Sequence, residues 1–467
     1  MDDTMAFLTR YFSRLSQYKT LLALAVPVAL QTAIFSSKST VDMLMLGTLS
    51  ELDIAAIGLA AKAQMIISFF IIGLSIGGGQ IAAQCFGIKS KDGERKLHNT
   101  VFITLILSVV VSLFFFLILF FAPNLLMALG TQSADIISKG SDYLQIIALS
   151  LFCFAYASSI ACGLRAMHQP GIATKVSFIG VTLNLGLNWV FIFGHLGMPA
   201  MGIKGAALGT LLSALIECVI LYFYLKSKNH LLTHFPASLL KQLTWRDFKL
   251  VTKLSATAAI NSVVWAAGLF AFHAILGYSD PNLLVALSVL APIEALAMSL
   301  LIGLATAGSV LVGNIVGANQ HEKLPTAIRQ HLVLSVGVGV ISAALLMALK
   351  SLVLSMFFHN DLPSAAEQLT TGLYDIMAAS LIVKSLSMML IVGILRAGGD
   401  ARFCLITDVL AQWVFLLPCA YWLTHVLHVD PIYLFGLVLL EEGIKVLICF
   451  WRLNSNRWVR NLAESMN

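Results

Sequence analysis

The residues with the strongest claim to chemistry are Lys38 and Asp42, one helical turn apart inside a long apolar run. That run, LLALAVPVALQTAIFSSKSTVDMLMLG at residues 21–47, is long enough to cross a bilayer. Ionised groups at membrane depth are expensive, so they face a cavity or a partner and mark ion or substrate pathways. Asp42 is suited to carry a proton, because a desolvated carboxylate binds protons according to its surroundings, or else it forms a structural ion pair with Lys38. Lys38 is either its tethered counter-ion or a snorkelling, structural lysine. Pro27 lacks a backbone donor and crowds the carbonyl of the preceding turn, so the helix is expected to bend there.

Other polar residues inside apolar runs extend the candidate set. Asn184 and Asn188 lie one turn apart, and their amides could accept from a protonated Asp42, coordinate a cation, or join two helices. Thr210 could add a hydroxyl or bond back to its own helix. Gln31, Gln64 and Lys62 are candidates to line a cavity, and Glu217 and Glu294 are intramembrane acids. For Glu294 the bland alternative is a salt bridge within its own helix after Pro292. His273 could titrate near neutral pH or simply pack. No nucleotide loop, catalytic triad or metal-ligand spacing occurs, so no enzyme activity, metal or cofactor is expected and the energy source is an ion gradient. The seven scattered cysteines read as small apolar fillers.

These residues sit in a polytopic membrane protein. Hydrophobic residues make up 59% of the 467 and charged ones 11%, against about 25% in a soluble chain. Mean hydropathy is +0.90. Apolar runs predict twelve helices, at about 20–46, 54–87, 98–122, 138–163, 172–194, 203–225, 251–277, 283–317, 328–358, 369–396, 402–425 and 431–452. The amino-terminal twenty residues form an amphipathic segment without the apolar core and cleavage site of a signal peptide. Cations gather on one side: Arg10, Arg14, Lys19, Lys89, Lys91, Arg95, Lys96, Arg165, Lys228, Lys241, Arg246, Lys249, Lys323, Arg329, Arg396, Arg402, Arg452, Arg457 and Arg460. The other side carries Glu51, Asp53, Asp280, Asp361 and Asp430, with Lys139 and Lys204 as exceptions. Both termini are therefore expected in the cytoplasm. The net charge of +6 is an orientation signal, and no nucleic-acid partner is expected.

The chain also repeats itself at an offset of 230 residues. Gln31 meets Asn261, Ile72-Gly73-Leu74 meets Ile302-Gly303-Leu304, Gly78 meets Gly308, Gln84 meets Asn314 and Gly87 meets Gly317. Six helices per half make the repeat parallel. The expected organisation is an N-terminal lobe (1–225), a cytoplasmic connector (226–250) and a C-terminal lobe (251–467). The expected fold is an all-α, twelve-helix membrane protein whose lobes are related by a pseudo-two-fold along the membrane normal. Pro27, Lys38 and Asp42 are not repeated: Thr257, Gly268 and Phe272 stand at the equivalent positions.

The segments AVPVALQ and TVDMLMLG, the paired glycine-rich runs GLSIGGGQIAAQCFG and GLATAGSVLVGNIVGA, the connectors GLRAMHQPG and LRAGGD, and NLGLNWVFIFG with GIKGAALGT occur in order along the chain. Together they resemble the MATE family of multidrug and toxic compound extrusion transporters. The resemblance implies a monomeric, alternating-access exporter of small organic cations in a bacterial inner membrane. It would run on a proton or sodium gradient, with Asp42, Asn184, Asn188 and Thr210 at the ion site. Many members carry a helix-5 acid one turn after an asparagine, where this chain has Asn188, and that absence tilts the expectation toward protons. Sodium coupling stays open, as does a flippase of lipid-linked sugars, for which Lys38, Lys62 and Lys384 would be suited.

Overall fold

The computed structural model describes residues 2–46, 50–235, 243–279, 281–357, 364–427, 429 and 431–466. Gly47, Lys241, Asp280, Asp361 and Asp430 lie outside the described residues. The fold is all-helical among the residues described. α1 is Asp2–Leu46, α2 Glu51–Gly87 and α3 Lys91–Phe121. α4 is made of Ala134–Ile147 and Ser150–Ala166, which meet at 47°. α5 is Pro170–Phe193, α6 Ile203–Ser227, α7 Trp245–Ser279, α8 Pro281–Gly317 and α9 Leu324–Phe357. α10 runs Ser364–Met388 and continues as π-helix over Met389–Leu395. α11 is Ala401–Asp408, a π-helical stretch Val409–Leu416, and Leu417–His425; α12 is Pro431–Asn454.

Ten of these helices are long and apolar enough to cross a membrane, and the bent α4 makes an eleventh. α12 has the length but carries Glu441, Glu442, Lys445 and Arg452. The sequence itself sets the helix starts. Ser50 and Ser90 cap α2 and α3 by accepting from the backbone N–H groups of Asp53 and Gly93 at 3.3 and 3.2 Å. Thr244 accepts from Asp247 N at 3.2 Å and donates to its carboxylate at 2.7 Å, so α7 begins at Trp245, earlier than the apolar run suggests. The amphipathic amino-terminal segment is continuous with α1.

Two compact units emerge. The N-unit comprises Ile34–Met167, Ile172–Ala267 and Ala463–Asn467; the C-unit comprises Met1–Ala33, His168–Gly171 and Gly268–Leu462. The leading part of α1 thus packs with later helices, and the leading part of α7 with earlier ones. In the C-unit, Leu21, Leu24 and Ala25 of α1 join a core with Leu304, Ala307, Val310 and Leu390. The two exchanges are equivalent under the 230-residue repeat. A Cβ on Gly73 would lie 2.4 Å from Ala259 Cα, and one on Gly303 would lie 2.6 Å from Ala29 N. Each glycine lets two helix backbones touch, the usual way membrane helices pack closely. The repeat read from the sequence is therefore present in the packing.

The two cations that broke the charge pattern are paired with acids. Lys139 bonds Asp53 at 2.5 Å, and Lys204 lies 3.0 Å from Asp142.

Candidate functional site: buried polar networks on α1, α5 and α6 and in the C-unit

On α5, Asn184 and Asn188 are one turn apart and face α6. Both are fully buried. Asn188 Nδ2 donates to Asp42 Oδ1 at 2.6 Å, and Asn184 Nδ2 donates to Thr210 Oγ1 at 3.2 Å. Ser213 donates back to the Thr210 carbonyl at 3.0 Å. Small residues on α6 make this approach possible. A Cβ on Gly209 would fall 2.4 Å from Asn188 Oδ1, and one on Gly205 would fall 2.3 Å from the Phe191 carbonyl oxygen. Asn188 Oδ1 is buried with no hydrogen-bond partner among the described residues. It is a spare acceptor next to a carboxylate, which suits a protonated acid or a cation.

Lys38 and Asp42 are both half-buried. Lys38 is the nearby charge acting on Asp42, and it also acts on Glu217 of α6. Tyr143 of α4 is the buried hydroxyl that the Asp42 charge reaches. All of these residues belong to the N-unit. Pro27 and Gln31 lie on the same helix but belong to the C-unit part of α1. α1 is one helix with Pro27 inside it. Gln64 is half-buried on α2.

Glu294 and His273 fall in the C-unit, within a different network. Glu294 does not close a salt bridge along its own helix: Lys384 of α10 donates to it at 2.5 Å. Both charges act on His273. Lys384 also feels Glu441 and Glu442 of α12. Ser387 donates to Glu442 Oε2. Lys445 then gathers three acids, at 2.6 Å from Glu441, 3.4 Å from Glu442 and 3.8 Å from Asp408. Asp408 ends the α-helical part of α11 where its π-helical stretch begins, and such π turns gather at functional sites. Sequence reasoning left out Asp408, Glu441, Glu442 and Lys445. The available signal was three charges within five residues of an apolar run.

Repeated six-helix halves with intramembrane polar and charged networks in both are the architecture of a membrane transporter. The MatE family model matches the chain twice, over residues 27–190 and 258–422. The two matches fall on the two repeats. The chain belongs to the MATE family, whose members are transporters and not enzymes. Among curated relatives, it is 25% identical to the probable multidrug resistance protein NorM of Mesorhizobium japonicum, covering 85% of each chain. It is 24% identical to the probable multidrug resistance protein YoeA of Bacillus subtilis, covering 89% of each. Among solved structures, a MATE transporter in complex with MaL6 superposes with a TM-score of 0.86 at 18% identity, covering 95% of this chain and 97% of that one. An outward-facing MATE transporter gives 0.83, also at 18%, covering 95% and 96%. At that identity the superpositions establish the fold.

Proposed function

We propose that the protein is a multidrug exporter that exchanges organic cations for protons at Asp42. The observation that carries this reading is the 2.6 Å bond from Asn188 to Asp42, beside a spare buried amide oxygen and one turn from Lys38. A carboxylate so placed trades a proton for a cation as its surroundings change. The relatives named for multidrug resistance support the substrate class.

In the proposed cycle, Asp42 takes up a proton from the outer, more acidic side. Its neutralisation loosens the hold of Lys38 and Asn188, α1 bends at Pro27, and the bound cation is released outward. The transporter reorients, Asp42 gives its proton to the cytoplasm, and affinity for a cation returns. Two solved neighbours, MATE in the bent and in the straight conformation, superpose with TM-scores of 0.81 and 0.84, which supports a fold that adopts more than one shape. The protein works as a monomer in a bacterial inner membrane, both termini cytoplasmic, without a bound cofactor.

The test is efflux of ethidium from proteoliposomes under separate proton and sodium gradients. Proton-driven efflux lost in Asp42→Asn is the expected result. Retained proton-driven efflux removes Asp42 from the role, and efflux driven by sodium alone replaces the proton with sodium.

A further inference from the structure

Beyond α12 the chain runs on without a helix over 455–466, and it is held at two seats. The first is in the C-unit. Trp458 is fully buried and joins the core of Leu304, Leu390 and Leu395. A Cβ on Gly398 would fall 2.2 Å from the Trp458 ring, so this glycine after α10 makes room for the indole. Arg460 N donates to the Gly398 carbonyl at 2.7 Å. Asn461 Nδ2 donates to Val316 O at 3.2 Å and to Asn319 Oδ1 at 2.8 Å. The second seat is in the N-unit, to which Ala463–Asn467 belong. Met466 is buried there, its sulfur accepting from Thr100 Oγ1 of α3 at 3.4 Å and from Cys85 Sγ of α2 at 3.8 Å. Lys96 Nζ of α3 donates to Ala463 O at 3.4 Å.

The two seats are unequal. An indole in the core and three short amide bonds make the first. The second has one thioether, which is a weak acceptor, and one long bond from a lysine. The Thr100 hydroxyl also donates to the Lys96 carbonyl at 2.8 Å, so the sulfur receives only a share of its proton. The chain joining the seats has no slack. Only Leu462 separates Asn461 from Ala463, and two residues of extended chain reach about 7 Å. A larger displacement of one seat from the other breaks one of them, and the weaker one yields. Alternating access moves one repeat against the other. We infer that residues 463–466 are a detachable clasp: Met466 leaves Cys85 and Thr100 once in each transport cycle and then reseats, while Trp458 keeps the tail on the C-unit. This rests on the exporter reading, and not on the choice of ion at Asp42. Methionine suits such a seat, because its flexible, uncharged side chain repacks readily and strands no charge when it is withdrawn.

The experiment uses the native thiol of Cys85. Met466→Cys sets a second thiol beside it, and copper phenanthroline with oxygen joins the two as a disulfide. Bridging is read as two thiols lost to a maleimide after denaturation. Ethidium efflux from proteoliposomes then falls about tenfold or more, because the clasp cannot open, and dithiothreitol restores it. Wild type and Met466→Cys/Cys85→Ser keep their efflux in the oxidant. Ending the chain at Leu462 leaves the melting temperature within about 2 °C of wild type, whereas Trp458→Ala lowers it by about 6–20 °C. Thiols that never bridge in Met466→Cys, or efflux that survives bridging, overturn the clasp. So does a chain ending at Leu462 that melts as low as Trp458→Ala, because residues 463–466 are then part of the permanent structure. Efflux missing from wild type and from the reduced variant alike overturns the exporter reading instead, while bridging and melting still decide whether the seat exists and can be dispensed with.

Discussion

Replacing Lys445 with methionine should be the most destabilising single change of charge in the C-unit. Its ammonium lies 2.6, 3.4 and 3.8 Å from Glu441, Glu442 and Asp408. The Lys445 side chain is 3% exposed and that of Glu441 is 5%, so water does little to screen them. Methionine keeps the length of the side chain but leaves three acids facing one another. Lys384 is the next cation, and it is held at 2.5 Å by Glu294. Removing one partner of a buried ion pair costs about 3–5 kcal/mol, because the remaining charge stays buried. For a unit of this size that corresponds to a fall in melting temperature of about 6–20 °C. A thiol-reactive dye can follow unfolding in detergent, since Cys85, Cys162, Cys404 and Cys449 are buried and free. Lys445→Met/Glu441→Gln should regain part of the loss, because one uncompensated charge is gone. A Lys445→Met protein that melts within about 1 °C of wild type, or a double variant no better than the single, refutes the account.

The remaining predictions concern the N-unit and the helix crossings. Asn188→Ala removes the donor to Asp42; at about 1.5–3 kcal/mol for a hydrogen bond to a charge, ethidium affinity should fall about 10- to 150-fold, as read by fluorescence titration. Gly73→Leu and Gly303→Leu each force a side chain into a neighbouring backbone at 2.4–2.6 Å. Each should lower yield and melting temperature more than leucine at Gly171, where a Cβ meets nothing within 4 Å.

Features carried by local composition were legible in the sequence, and features made by contacts between helices were not. The apolar runs predict twelve helices, of which ten and the bent α4 are apolar enough to span among the described residues, and the repeat follows from Gly73 and Gly303 in one register, because close backbone contact admits no larger residue there. Asp42 is conspicuous because charge is rare in such a run. The partner of Glu294 could not be read from spacing, since Lys384 is ninety residues away and reaches it across two helices. The α12 network hid for a related reason. Glu441, Glu442 and Lys445 lie within the run 431–452, and their partners Lys384 and Asp408 come from α10 and α11. The leading parts of α1 and α7 pack with the opposite half's helices, which no local pattern announces.

The two repeats share a scaffold and diverge where chemistry is placed. Position 268, equivalent to Lys38, is glycine because Gln412 crowds it: a Cβ there would lie 2.3 Å from the amide carbon. Position 272, equivalent to Asp42, is a phenylalanine 1% exposed, in a core with Leu276, Leu287 and Leu434 and 6.2 Å from the Phe435 ring. The end of α7 is thus committed to packing, where a lysine or a carboxylate has neither room nor water. Charge in that half comes instead from α8, α10, α11 and α12, where Lys384 and Lys445 sit among four acids. In the N-unit the carboxylate stands on α1 itself, where Asn188 of α5 donates to Asp42 at 2.6 Å. Asp42 thus stands on the helix whose repeat partner lacks both the acid and the proline.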